Sequence, residues 1–216
     1  GLEPERTILV PAPFYSNQLE AIKNVAKSLP VDYMLYVKEH PMQKVWGWRS
    51  TSYYKEISKL QNVRLVNTSV PNGKLVQNCS LVVSVLGTPA LEAAFREKPS
   101  IVFGDVLFDS LPSVLRVQNL EELPKLIKTG LNTKVNLSDV NKFVNMIEKN
   151  SFEYDDQGFI SKICDRFFYS GYLYDVNIPV SEMTIFLEEN KKIYNLLGNQ
   201  HLKKIHQSKN QKLKNS

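Results

Sequence analysis

The sequence predicts an α/β fold, in which a Rossmann-like parallel sheet carries helices on both faces and is followed by a C-terminal helical extension. Three observations lead to this prediction. Short apolar runs rich in β-branched residues alternate five times with segments of helical periodicity. The runs are nearly continuous in apolar residues, which is typical of parallel strands buried on both faces. After about residue 135 the alternation stops and the pattern becomes helical or irregular.

The candidate strands are short, and they are residues 8–10, 33–37, 63–66, 81–86, 101–103 and, more weakly, 114–117. Consecutive parallel strands need right-handed crossovers, so the intervening helices cover both faces of one sheet of five or six strands. The run 81–86 is the clearest candidate for a strand that is buried on both sides.

The candidate helices between the strands are residues 18–28, 53–60, 72–78, 89–97 and 121–128, and two more lie at 140–149 and 182–197. We therefore predict a Rossmann-like lobe at 1–135, a helical extension packed on it at 136–200, and a basic, disordered tail at 201–216. The aromatic stretch 167–174 is interpreted as packing the extension onto the sheet, with a stacking platform as the alternative.

Composition excludes several classes of protein. With 43% hydrophobic and 23% charged residues in 216, the chain is neither disordered nor a disulfide scaffold. Its two cysteines are interpreted as reduced, buried thiols in a reducing compartment. No apolar run approaches the roughly 18 residues of a membrane span. A cytoplasmic location is therefore expected, at most at the inner face of the membrane.

The net charge of +5 is concentrated at the C-terminus. The tail after Gln200 holds five lysines and no acid, so the rest of the chain is balanced at 22 basic and 22 acidic residues. We interpret the tail as a solvated terminus, with peripheral association with an anionic surface as the alternative. A nucleic-acid partner is not expected, because the body is neutral and has no aromatic-basic strand motif.

Ligands of such folds bind beyond the carboxyl ends of the strands. The four loops to inspect are residues 11–17, 38–41, 87–89 and 104–108, called here the first to fourth rim loops.

The second rim loop contains His40, the only histidine before the tail. Pro41 favours extended geometry at His40, and strand alternation then directs Lys38 and His40 to the same side, with Glu39 on the other. A cation and an imidazole on one side can contact a phosphate, and His40 can donate a proton to it as it leaves. The alternative is a histidine that only satisfies backbone groups at a strand end.

The third rim loop combines a glycine with a helix start. Gly87 permits close backbone approach, Thr88 is a good N-cap, and Pro89 suits the first helical position. Free amides at this helix start predict an anion site, and Glu92, one turn later, could accept hydrogen bonds from ribose hydroxyls. The alternative is a plain helix start with a solvated Glu92.

Neither metal nor cofactor is predicted at the rim loops. They contain no carboxylate pair and no His/Cys cluster at metal-ligand spacing.

Three runs resemble the capsule polysaccharide biosynthesis and export family, which includes transferases that use CMP-activated Kdo. They are YVKEHP at 36–41, SVLGTPALEAA at 84–94 and KPSIVFG at 98–104. The Lys-x-His-Pro element and the small-residue turn before a helix also look like those of bacterial sialyltransferases and poly(glycerol phosphate) transferases of the two-lobed GT-B architecture. The resemblance covers roughly residues 7–130.

The resemblance implies a role for each site residue. His40 is the catalytic residue and, with Lys38, Gly87 and Thr88, contacts the donor phosphate, while Glu92 holds the ribose. The turn at 11–13 departs from the family pattern, so no contact is assigned to it. The resemblance also implies an N-terminal lobe that carries the acceptor site, and we expect that lobe to be missing from this chain.

The function that follows is metal-independent sugar transfer from a nucleotide donor to a glycan or glycolipid acceptor in surface polysaccharide assembly. This chain would be the donor-binding lobe, and whether it is an enzyme depends on the second lobe. Two alternatives remain open at this point: a non-catalytic module that binds a nucleotide or anionic glycan, and a sugar-nucleotide epimerase with the same fold.

Overall fold

The computed structural model of the chain describes residues 6–40, 43, 49–168 and 177–214. The chain divides into two compact units, Gly1–Ser151 and Phe152–Ser216. In the first unit parallel strands alternate with helices, and the described part of the second is helical. The predicted fold class, a parallel α/β fold followed by a helical C-terminal stretch, is confirmed.

The described strands are all parallel to their neighbours. They are β1 (Leu35–Lys38), β2 (Val63–Val66), β3 (Val82–Ser84), β4 (Ser100–Val102) and β5 (Val114–Arg116). β1 pairs with β2, and the other three form a sheet in the order β3-β4-β5. Hydrogen bonds thus divide the described strands into two sheets, where the sequence predicted one.

Helices alternate with these strands in the first unit and form the described part of the second. They are α1 (Arg6–Leu9), α2 (Gln18–Ser28), α3 (Thr51–Ser58), α4 (Asn72–Gln77), α5 (Pro89–Ala94), α6 (Leu123–Asn132), α7 (Leu137–Asn150), α8 (Asp156–Phe167), α9 (Val180–Glu189) and α10 (Lys191–Lys214). Short 3-10 turns lie at Pro13–Tyr15, Leu107–Ser110 and Leu120–Glu122. Residues 201–214, expected in a disordered tail, belong to α10.

The strand predicted at residues 8–10 does not form. The Ala12 N–H donates to the Ile8 carbonyl at 3.0 Å, which closes a helical turn after α1. Ile8 is buried, whereas Leu9 and Val10 are 55% and 82% exposed, so only one side of this segment is covered. A three-residue apolar run fits a helical turn as well as a strand, and its periodicity cannot separate the two.

The burial of β3 and β4 also differs from the expectation. The residues of β3 are half-buried, whereas Ser100, Ile101 and Val102 of β4 are completely buried. β4 lies between two strands and β3 lies at the end of its sheet, so β4 is covered on more sides. The length of the apolar run at 81–86 therefore overstated its burial.

Helices cover both faces of the three-stranded sheet. Val102 packs in a cluster with residues of α5 and α7, and Ile101 and Phe103 pack in another with residues of α2 and α6. Consecutive strand residues face opposite sides, so the two clusters lie on opposite faces. Leu35 of β1 packs against the second cluster and also against a third, between β1, β2, α2 and α3. The two sheets are therefore connected through Leu35 and α2.

α5 is shorter than predicted, ending at Ala94 rather than at residue 97. Glu97 has a φ of 56°, and the Lys98 N–H donates to the Ala93 carbonyl at 2.9 Å. This left-handed geometry ends helices, and glycine usually adopts it. Glutamate carries no such signal, so sequence reasoning extended the helix too far.

Aromatic side chains build the core of the second unit. The ring of Phe186 in α9 lies 6.1 Å from that of Phe159 and 4.9 Å from that of Phe167, both in α8. Tyr194 of α10 contacts Phe159 at 5.6 Å. Phe167 therefore packs within the second unit, whereas the interpretation assigned it to packing on the sheet; residues 169–174 of the aromatic stretch lie outside the described residues.

Two findings concern the thiols and the membrane. Cys79 and Cys164 are both free and half-buried, rather than fully buried.

None of the described helices is long and apolar enough to cross a membrane.

Candidate functional site

The first rim loop lies at the carboxyl end of β4, against the fourth rim loop. The ring of Tyr15 packs edge-on against that of Phe103, directly after β4, with 4.9 Å between centroids. The Pro11 carbonyl accepts a hydrogen bond from the Asp105 N–H at 3.4 Å. The first and fourth rim loops therefore lie side by side.

Gly104 is where the first, third and fourth rim loops come closest. A Cβ on Gly104 would lie 2.7 Å from Ala12 Cβ and 2.9 Å from the Pro11 carbonyl oxygen, and would also collide with Leu86. Leu86 directly precedes Gly87, so the third rim loop adjoins the same point. Any side chain at position 104 would push these loops apart.

A polar network ties the second rim loop to the start of α2. Arg49 Nε donates to Glu39 Oε1 at 2.6 Å, and Tyr54 Oη donates to Glu39 Oε2 at 2.6 Å. Arg49 also donates to Gln18 Oε1 at 3.1 Å and lies over the ring of Tyr53, 4.4 Å from its centroid. We call these five residues the Glu39 network.

The Glu39 network is largely buried, because the Arg49 and Glu39 side chains are only 7% and 14% exposed. A buried ion pair holds its geometry tightly, since breaking it leaves a charge without a partner. Glu39 lies between Lys38 and His40, so the network fixes the backbone that carries both. Sequence reasoning missed Arg49, Tyr54 and Gln18, because nothing in their local pattern marks them as partners of Glu39.

The network also sets the charge of the second rim loop. Arg49 neutralises the Glu39 carboxylate, so that acid does not cancel the positive charge of Lys38. Lys38 Nζ donates to Asn72 Oδ1, at the start of α4, at 2.6 Å. An ammonium group has three N–H donors, so Lys38 can hold Asn72 and still donate to an anion. Asn72 was not predicted as a site residue.

His40 follows directly after these residues. Its carbonyl accepts a hydrogen bond from the Gln43 N–H at 2.9 Å, and Gln43 is buried. Pro41, expected to hold His40 in extended geometry, lies outside the described residues.

The third rim loop is a tight turn held by Ser84. The Gly87 N–H donates to Ser84 Oγ at 2.8 Å, and a Cβ on Gly87 would lie 2.7 Å from that oxygen. Only glycine fits this turn without displacing Ser84. Ser84 belongs to the SVLGTPALEAA run, but the sequence predicts no role for it, because its bond to Gly87 is visible only in the folded chain.

Thr88 does not cap α5 in the way the sequence predicts. It occupies the N-cap position in a helical conformation, with φ −54° and ψ −21°, and its side chain makes no capping bond within the described residues. The hydroxyl of Thr88 is exposed and remains available to a ligand.

Glu92, one turn after Thr88, is half-buried. Across the described part of the chain its carboxylate makes no hydrogen bond and no ion pair. A half-buried carboxylate without a partner retains its capacity to accept hydrogen bonds from a ligand.

The second, third and fourth rim loops follow the carboxyl ends of β1, β3 and β4, and the first rim loop, which follows α1, lies against the fourth. The first loop contacts the fourth, the fourth contacts Leu86 beside the third, and the Glu39 network joins the second to α2, which directly follows the first. The second rim loop contains Lys38 and His40, and the third contains Gly87 and Thr88. Glu92 lies one turn after Thr88 in α5.

Comparison with known protein families identifies the chain. Residues 8–123, more than half of the chain, match the family described as "Capsule polysaccharide biosynthesis protein". The chain belongs to the capsule polysaccharide biosynthesis family. No curated protein and no solved structure shows a significant match to it.

The match to the capsule family spans every rim loop. It begins at Ile8, before the first loop, and ends at Leu123, the first residue of α6. The resemblance predicted from the Lys-x-His-Pro and Gly-Thr-Pro elements is confirmed at the level of the family, and a role in capsule synthesis follows. The second unit lies outside the matched residues.

Among the described residues of this capsule-family chain, no three His, Cys, Asp or Glu side chains are grouped closely enough to share a metal ion.

We expect Tyr54→Phe to lower the free energy of unfolding at neutral pH by about 1.5–3 kcal/mol, because a hydrogen bond to the Glu39 carboxylate is lost. Desolvation, and then the bond to Glu39, raises the pKa of Tyr54 from 10.0 to about 12. In the wild type, this stabilisation is present below pH 10 and is lost as the pH rises from about 10 to 12. Urea titrations at several pH values measure both effects.

Tyr36→Phe is the matched control for Tyr54→Phe, because Tyr36 is 64% exposed on β1. It should change the stability by less than about 0.5 kcal/mol. A Tyr54→Phe protein as stable as the wild type at neutral pH would show that the bond to Glu39 does not stabilise the fold.

Proposed function

We propose that the first unit is the donor-binding lobe of a GT-B glycosyltransferase that acts in capsule polysaccharide synthesis. It binds a nucleotide sugar, for which a CMP-Kdo-like compound is the best candidate, and transfers the sugar to a glycan or glycolipid. A second lobe supplies the acceptor site. The reaction takes place in the cytoplasm, where nucleotide donors are made.

One observation carries the proposal: polar groups without partners lie beside a glycine turn in a chain of the capsule family. The Thr88 hydroxyl and the Glu92 carboxylate are uncommitted among the described residues, and they follow the turn that Ser84 and Gly87 form. A phosphate suits the hydroxyl and the turn, and ribose hydroxyls suit the carboxylate. A nucleotide contains both groups.

The short length of α5 decides which groups hold the phosphate. α5 has only six residues, so its dipole is smaller than that of the predicted helix at 89–97. Binding then depends chiefly on Lys38, His40 and the Thr88 hydroxyl. Glu39 is ion-paired with Arg49 and does not offset the positive charge of Lys38, so an anion is attracted to this loop.

In the proposed reaction the bond between the anomeric carbon and the phosphate oxygen breaks, and an acceptor hydroxyl oxygen bonds to that carbon. The acceptor proton passes to a base on the second lobe. The departing phosphate gains negative charge, which Lys38 and a proton donated by His40 offset. No step requires a metal ion.

A thermal-shift comparison of CMP, CDP, UDP and GDP tests nucleotide binding. A ligand at about 100 times its dissociation constant adds roughly 2.7 kcal/mol of stability, which raises the melting temperature of a domain of this size by about 5–10 °C. The shift should be largest for a cytidine nucleotide and unchanged when EDTA is added. Absence of a shift with all four nucleotides would overturn the proposal.

A further inference from the structure

The basic residues of the C-terminus lie on one long helix. α10 runs from Lys191 to Lys214, and its sequence contains seven lysines without a single Asp or Glu. The rest of the chain has 20 basic and 22 acidic residues, so it is slightly acidic. The helix therefore forms a separate positive element on a chain that is otherwise close to neutral.

The described C-terminal half of α10 is exposed to solvent. Residues 201–208 are all exposed, and they include Leu202 and Ile205, which are 55% and 49% exposed. Isolated helices are marginal in water, and most helices are stabilised by burial of an apolar face. A surface that covers Leu202 and Ile205 would stabilise this half of the helix.

The spacing of these residues produces two different sides. Leu202 and Ile205 are three residues apart and so share one side of α10. At about 100° per residue, Lys203 lies about 100° around the helix from Leu202. Lys204 lies about 100° from Ile205 in the opposite direction. Long lysine side chains can reach back along the helix surface, so the apolar pair can enter a membrane interface while both ammonium groups stay among the headgroups.

We propose that α10 binds the surface of a bilayer that contains anionic lipids. Positive charge matches the headgroups, and the exposed Leu202 and Ile205 match the boundary with the acyl chains. A nucleic acid would match only the charge. Because α10 is too polar to cross the bilayer, it lies along the surface. This proposal is independent of the nucleotide site in the first unit.

Cosedimentation of the 216-residue chain with vesicles tests the proposal. We expect binding to vesicles of phosphatidylglycerol and phosphatidylcholine in equal amounts, and little binding to phosphatidylcholine alone. Each basic residue near an anionic surface strengthens binding roughly fivefold, so the double variant K203E/K204E should bind at least about 25-fold more weakly. High salt should also weaken the binding of the wild type to anionic vesicles.

Two further variants separate lipid binding from a general charge effect. K125E/K128E makes the same change in charge on exposed positions of α6, and it should bind anionic vesicles within about twofold of the wild type. L202S/I205S keeps every lysine, and it should bind about tenfold more weakly because apolar burial is lost. Circular dichroism checks that each variant keeps its helix content.

The proposal is overturned by any of three results. The first is equal binding of the wild type to neutral and anionic vesicles. The second is a loss of vesicle binding in K125E/K128E as large as that in K203E/K204E. The third is binding to duplex DNA that is stronger than binding to anionic vesicles. The nucleotide-induced thermal shift of K203E/K204E should match that of the wild type, so the failure of one proposal leaves the other standing.

Discussion

Replacing His40 by Ala in the full-length protein is expected to reduce sugar-transfer turnover by about 100-fold or more, which is the usual effect of losing a positioned acid or base. Donor affinity should fall much less, because Lys38 and Thr88 would still contact the phosphate in the proposed site. A neutral hydrogen bond contributes only about 0.5–1.5 kcal/mol. Steady-state kinetics measure turnover, and isothermal titration with the donor measures its affinity.

His206→Ala is the control, because His206 is an exposed histidine of α10 and has no part in the proposed site. Its turnover, measured with a water-soluble acceptor, should equal that of the wild type. Equal losses of affinity and turnover in His40→Ala would make His40 a phosphate ligand only. If the full-length wild type binds the donor but transfers no sugar, the protein is better described as a binding module. If it converts a UDP-sugar when no acceptor is present, it is better described as an epimerase.

Replacing Thr88 by Glu is expected to abolish the thermal shift that a nucleotide produces. The introduced carboxylate would lie beside the phosphate and repel it, and it would also remove the hydroxyl. Folding should change little, because Thr88 is exposed and its side chain makes no capping bond within the described residues. Melting temperatures with and without CMP measure both effects on the same samples.

Thr129→Glu is the matched control, since Thr129 is an exposed residue near the end of α6, outside the proposed site. It makes the same change of side chain and should keep the full nucleotide shift. A Thr88→Glu protein with an unchanged shift would exclude the third rim loop as the phosphate site. A large loss of stability without ligand would instead mean that Thr88 supports the fold.

Some elements were predicted from the sequence with their observed bounds. Residues 18–28 were predicted as a helix, and α2 has the same bounds. The signals are local: the Asn17 side chain accepts from the Glu20 N–H at 3.3 Å, and apolar residues then recur at helical spacing. β2 was also predicted with its observed bounds. Local sequence patterns are enough to predict an element when residues close in the sequence determine its conformation.

The candidate site was predicted only in part. The glycine, threonine and histidine of the rim loops stood out because their chemistry is uncommon at strand ends. Ser84, Asn72 and Arg49 did not, because a serine, an asparagine or an arginine in a loop carries no signal by itself. Each became recognisable only through a partner: Gly87 for Ser84, Lys38 for Asn72, and Glu39 for Arg49.

The sequence by itself determined the α/β class, most helix positions and the capsule-family elements, because periodicity, capping residues and motif spacing are properties of neighbouring residues. The tertiary structure alone decided that residues 8–10 form a helical turn, that β4 rather than β3 is completely buried, and that Glu39 is neutralised. The burial of β4 and the pairing of Glu39 depend on which distant segment covers or pairs with each residue. Glu39 directly follows β1 and Arg49 lies just before α3, so their buried ion pair forms only when β1 and α3 pack together.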